Sequence, residues 1–193
     1  MCKTKQLIAL TLLASIASEA AAHSFGAHGA GFAAGFFHPF LGIDHLLAMV
    51  AIGLWASKIG GRALWAMPLS FVSMMAAGAG LAMASVTIPH VEAGIATSVL
   101  VLGLVLASSN RLPLMAGVML SGLFALFHGH AHGTEIPQAA SPWLYALGFT
   151  CTTLLLQASG LTSGKLLDIR MPKLLQTCGL AIAFTGAYLL TGA

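Results

Sequence analysis

Past its first few residues, the chain carries every lysine and arginine in three short polar breaks between long apolar blocks: Lys58 and Arg62, then Arg111, then Lys165, Arg170 and Lys173. Blocks of that length with cations only at their borders suit a lipid bilayer, where a helix satisfies its own backbone polar groups. Most imidazoles and carboxylates collect at the opposite ends of the blocks, at His23, His28, His38, Asp44, His45, His90, Glu92, His128, His130, His132 and Glu135. Glu19 and Asp168 fall outside this partition. The composition agrees, because 58% hydrophobic and 7% charged residues cannot give a soluble domain an ordinary polar surface.

Lys3 and Lys5, the apolar run from Leu7 to Ile16 and the small residues Ala20, Ala21 and Ala22 follow the order of a cleavable secretory signal. Residues 1–22 are therefore read as a signal peptide and 23–193 as one membrane domain, with room for about six spans of roughly 20 residues each. Spans are expected near Ala30 to Ser57, Ala63 to Val86, Val91 to Ala107, Leu112 to Ile136, Pro142 to Leu161 and Pro172 to Leu190. The expected fold is an all-α polytopic bundle of six transmembrane helices whose mature N-terminus lies outside. That orientation puts every remaining cation on the inner side. The formal charge of +3 then follows from topology and implies no nucleic-acid partner. Gly31 and Gly35, and the run Ala76 to Gly80, suit close helix approach in lipid. Three spans per half leave an inverted repeat open, although no convincing internal sequence match supports it.

Chemistry concentrates in two places. In His38-Pro39-Phe40-Leu41-Gly42-Ile43-Asp44-His45, Pro39 disfavours helical geometry at His38 and suits a helix starting just after it. On an unbroken helix His38 and His45 would lie about 10 Å apart along the axis, too far to share a cation comfortably. A bend would bring His38 toward the second turn. Asp44, inside a span, needs a partner or a metal to offset its burial, and charge there marks an ion pathway.

The second place, Phe127 to Glu135, spaces His128, His132 and Glu135 along one helical face, provided that the helix continues to Ile136. Two imidazoles and a carboxylate so placed form a partial coordination sphere for a borderline divalent cation such as Ni(II), Co(II) or Zn(II). His130 should point elsewhere. His23 and His28 would sit at the outer vestibule, with His90 and Glu92 as an entrance lip or a solvated loop.

The HPFLGIDH block followed by LLAM, and the FHGHAHGTE block, resemble the HupE/UreJ family of hydrogenase and urease accessory membrane proteins over essentially the whole mature chain. His38, Pro39, Gly42, Asp44 and His45 fulfil its H-P-x-x-G-x-D-H pattern; His128, Gly129, His132, Gly133 and Glu135 fulfil the second motif. The first block is also similar to the HxxxxDH motif of other nickel and cobalt permeases, with one more residue before the Asp-His pair. The resemblance implies a nickel permease of the bacterial inner membrane, with cobalt as a second cargo, that supplies metal to nickel enzymes such as hydrogenase or urease.

On that reading nickel is cargo and no cofactor is permanent, while the partners are a divalent ion, the bilayer and cytoplasmic nickel chaperones. The chain is expected not to be an enzyme. It contains no G-x-x-x-x-G-K-[ST] loop, which argues against ATP hydrolysis by the chain itself, and facilitated diffusion is the simplest mechanism. An intramembrane zinc hydrolase is the main rival, although no HExxH arrangement is present. A metal sensor or a chaperone-docking scaffold is a third class. Met67, Met74, Met75, Met83, Met115 and Met119 are expected to fill gaps between helices. Trp55, Trp65 and Trp143 are expected at membrane boundaries, and Cys151 and Cys178 to remain unpaired.

Overall fold

The computed structural model describes residues 31–137 and 140–192. The expected signal peptide, His23 and His28 lie outside the described residues. Regular secondary structure among the described residues is entirely helical. Helix α1 (Phe32–Phe37) runs into a 3-10 turn over His38–Phe40, followed by α2 (Ile43–Ile59), α3 (Ala63–Met83), α4 (Val91–Ala107), α5 (Leu114–Thr134), α6 (Pro142–Arg170) and α7 (Pro172–Gly192). Helices α3, α5, α6 and α7 are each long and apolar enough to cross a membrane, and the bent pair of α1 and α2 brings that count to five. Helix α4 is apolar but shorter.

The expected break in the first span is present, and it is sharp: the two parts bend by 84°. Pro39 sits inside the 3-10 turn, so α2 begins later than Pro39 alone suggested. Gly42 is extended, at φ −110° and ψ 119°, and redirects the chain into α2. Further on, α5 ends at Thr134 instead of continuing to Ile136, because Pro137 follows closely. Helix α6 continues to Arg170, well beyond the expected Leu161, since the segment from Gly164 contains no proline until Pro172.

The two chemical populations occupy opposite ends of the bundle. At the lysine end, buried Lys58 donates to the carbonyls of Val105, at 3.0 Å, and Leu106, at 3.3 Å, and also to that of Ser108. Its ammonium thereby satisfies carbonyls that α4 leaves open at its C-terminus, where a cation is also favoured by the helix dipole. Arg111 pairs with Asp168 at 2.7 Å, which accounts for a carboxylate at the cationic end.

Three helix pairs form the frame, α2 with α6, α3 with α5, and α4 with α7, and each closes through glycine. A Cβ on Gly53 would stand 2.1 Å from the Gln157 carbonyl oxygen, and one on Gly129 would stand 2.0 Å from that of Met75. At Gly160 the obstacle is the Val50 carbonyl oxygen, at Gly78 that of Leu126, both at 2.2 Å. Gly35 meets Tyr145 in the same way, whereas Gly80 faces open space. Backbones that approach closely enough to leave no room for a Cβ gain the dispersion energy that holds helices together in lipid.

Two expectations about large side chains need correction. Met67 and Met75 are buried, but Met74, Met83, Met115 and Met119 are exposed, although Met74 still packs beside Gly122 of α5. Trp65 and Trp143 are exposed in the first turns of α3 and α6, whereas Trp55 is buried in the core. Its position on α2 turns inward with Ala48, Ala51 and Ile52. Cys151 and Cys178 are free.

Candidate metal site

The bend places His38 over the start of α2, where its ring centroid lies 6.4 Å from that of His45. Helix α5 brings His128 and His132 to the same place. The ring centroids form a chain, His38 to His132 at 4.7 Å, His132 to His45 at 4.2 Å and His45 to His128 at 4.8 Å. Both sequence motifs, far apart in the chain, thus converge on one cluster at the end of the bundle opposite Lys58.

Two groupings can be distinguished. In the outer one, a ligand atom from each of His38, His132 and Glu135 lies within 4.8 Å of the others. His38 Nε2 donates to Glu135 Oε2 at 3.0 Å, and His132 Nδ1 stands 3.5 Å from the same oxygen. Glu135 reaches both although it caps α5 instead of extending it. Burial raises the pKa of the Glu135 carboxyl, but its contacts with His132 and His38 outweigh this and hold it below the ordinary carboxylate range.

The deeper grouping is His45, Asp44 and His128. Asp44 Oδ1 accepts from the His45 backbone N–H and from His45 Nδ1, each at 2.7 Å. Because a carboxylate only accepts, Nδ1 carries the proton and Nε2 is left as a bare lone pair. That Nε2 is buried and has no partner. Ser98 on α4 fixes the other ring: its hydroxyl donates to the Ile95 carbonyl at 2.6 Å, so its lone pairs accept from His128 Nε2, at 2.9 Å. His128 Nδ1 then faces inward with no partner.

Both ring nitrogens of His132 are likewise buried without a hydrogen-bond partner. Buried ring nitrogens without partners are costly in a folded protein, and here they belong to adjoining rings. Neutral imidazoles oriented by a carboxylate or a hydroxyl are the usual ligands of borderline divalent cations. The walls are aromatic, with Phe149 against His132 at 3.9 Å and Phe71 near His128 at 6.0 Å between centroids.

The other sequence candidates are not among these groups, although Glu92 stands close enough to feel the charges of Asp44, Glu135 and His45. His130 is buried but turns away, and its Nε2 donates to the Val86 carbonyl at 2.9 Å, securing the segment after α3. His90, which precedes α4 at φ 55°, and Glu92, in the first turn of α4, are exposed and outside the three-ligand group. Ser98 and Phe149 were not legible as site residues. The only hint of Ser98 in the sequence was the hydroxyl pair Thr97-Ser98 in an otherwise apolar run.

Helices of this length and apolarity, bundled around converging imidazoles, define a multi-pass membrane protein with a donor-rich pocket between its spans. The chain belongs to the HupE/UreJ family, whose model, described as HupE / UreJ protein, matches residues 10–189. Protein HupE of Rhizobium leguminosarum bv. viciae is 41% identical over 187 residues, covering 94% of this chain and 96% of that relative. No solved structure gives a significant match.

Proposed function

We propose that this protein is a nickel permease, with cobalt as an alternative cargo, that passes the ion inward for maturation of nickel enzymes such as hydrogenase or urease. In this reading six spans cross a bacterial inner membrane, the short α4 among them, after removal of residues 1–22. The mature N-terminus and the histidine end face the periplasm. The carrying observation is the set of buried, unpartnered nitrogens on His45, His128 and His132, beside two carboxylates already oriented by imidazoles.

The cation would be taken first by His38, His132 and Glu135, then passed by His132 to His45 and His128, with Asp44 supporting His45. Neighbouring rings let each transfer begin before the previous bond is fully broken. The arrangement gives little support to hydrolysis. Glu135 is engaged by His38 and Asp44 by His45, so neither is free to act as a separate general base.

The deciding experiment is uptake of radioactive nickel into vesicles containing this protein alone. Uptake is expected with the wild type, with a loss of about tenfold or more for Asp44→Ala, as metal-site partners typically show. Vesicles that do not accumulate nickel above protein-free controls would refute permeation.

A further inference from the structure

We propose that Ser121 and Gln157 form a second, inner transit site for the divalent cation, related to the outer site by a hidden two-fold symmetry of the bundle. This rests on the transport reading above and extends it to the half of the path that has no imidazole.

The symmetry is visible in the helix crossings. Exchanging α2 with α5, α3 with α6, and α4 with α7 returns the same three helix pairs. The match holds residue by residue. Gly53 against the Gln157 carbonyl becomes Gly129 against that of Met75, and Gly160 between Val50 and Leu54 becomes Gly78 between Leu126 and His130. Gly103 against Ala183 becomes Gly179 against Ala107. Even a side-chain bond repeats: Thr152 donates to the Phe36 carbonyl at 2.6 Å, and Ser70 to that of Val118 at 2.9 Å.

Helices α2 and α5 run in opposite directions, so the relating axis lies in the membrane plane, as in transporters with inverted repeats. The chain between Phe36 and Val50 is six residues longer than its counterpart between Val118 and Leu126, and that excess spans the bend. Nothing at the equivalent place in α5 breaks the helix.

In this register the counterpart of His45 is Ser121, and the counterpart of Met75 is Gln157. Both lie toward the lysine end, and both are fully enclosed, with Ser121 0% and Gln157 1% exposed. The Ser121 hydroxyl and both polar atoms of the Gln157 amide have no hydrogen-bond partner. Gln157 continues the face of α6 that carries Phe149 and Thr153. Thr153 Oγ1 itself lies 3.5 Å from Met49 Sδ and 3.9 Å from Met75 Sδ, one turn below the imidazoles. Neutral oxygen donors bind a divalent cation weakly, which suits release.

The test uses membrane-impermeant thiol labelling from the lysine face of inside-out vesicles. Ser121→Cys and Gln157→Cys are placed separately in a Cys151→Ala, Cys178→Ala background, with Ser163→Cys as an exposed reference. Labelling of both buried positions, slowed by nickel, is expected. In parallel, Gln157→Leu should lower nickel uptake by about tenfold, while the purified protein keeps the tighter nickel binding of the imidazole cluster. No hydrogen bond is lost in that variant, so it should fold.

Unlabelled buried cysteines beside a labelled reference would overturn the inner site. So would wild-type uptake by Gln157→Leu, whatever the labelling. If the wild type itself does not transport, labelling alone decides: nickel-protected cysteines keep the site and remove only the transport reading.

Discussion

His128 Nε2 lies 2.9 Å from Ser98 Oγ, and the serine proton is committed to Ile95, so a residue of α4 sets which nitrogen of His128 faces the cluster. Ser98→Ala removes that control without touching the cluster itself. Nickel affinity of the purified protein, measured by equilibrium dialysis, should fall by about tenfold, the usual effect of losing an orienting partner. Unchanged affinity would show that His128 needs no such orientation.

Glu135 gives a prediction with a definite sign. Its folded-state pKa lies below its ordinary value because the contacts with His132 and His38 outweigh burial. Its stabilising contribution is therefore fully present above the unfolded value of about 4.3 and is lost as pH falls through the lower folded-state value. The melting-temperature deficit of Glu135→Gln should persist at pH 5 and vanish only in stronger acid. A deficit already gone at pH 5 would contradict the contact geometry.

Nickel uptake should show its own acid limb. Imidazole must be neutral to bind a metal, so protons compete with the ion and uptake is expected to weaken as the outer pH falls. An uptake rate that does not fall at any outer pH the folded protein survives would contradict imidazole ligation along the path.

Gly78 and Gly80 are two residues apart on one helix but differ in surroundings. A methyl group on Gly78 would meet the Leu126 carbonyl oxygen at 2.2 Å, whereas one on Gly80 meets nothing. Gly78→Ala should lower the melting temperature in detergent strongly. Gly80→Ala should be neutral, or stabilise by up to about 1 kcal/mol through helix propensity. Equal effects would mean that the crossing of α3 and α5 is looser than described.

Lys58 supplies the last prediction. Replacing it with methionine keeps the apolar stem but leaves the carbonyls of Val105, Leu106 and Ser108 without their donor. A loss of about 2 kcal/mol is expected for a charged hydrogen-bond donor, read by denaturant unfolding in detergent. Full stability of Lys58→Met would show that other groups cap α4.

Much of this was legible because membrane solvation writes itself into composition. The apolar blocks revealed the helices, and Pro39 marked the bend that carries His38 toward His45. The cluster was legible because imidazoles and carboxylates are too costly in a span to be incidental. Ser98 was not, since a single hydroxyl in a helix can bond its own backbone and so carries no signature. The fate of the methionines was equally hidden: periodicity could not say which face of α3 meets α5. The repeat escaped because it is recorded in a few glycines at backbone crossings, not in similarity along the chain.

The additional turn and a half between Phe36 and Val50 makes the two mouths unequal. His45 is answered by Ser121, while His128 and His132 are answered in the same register by Ile52 and Ala56, which donate nothing. An ion moving from the first mouth to the second goes from strong donors to feeble ones. In the proposed permease the first mouth would therefore hold the ion and the second let it go, so that the two directions of passage differ in which step limits them.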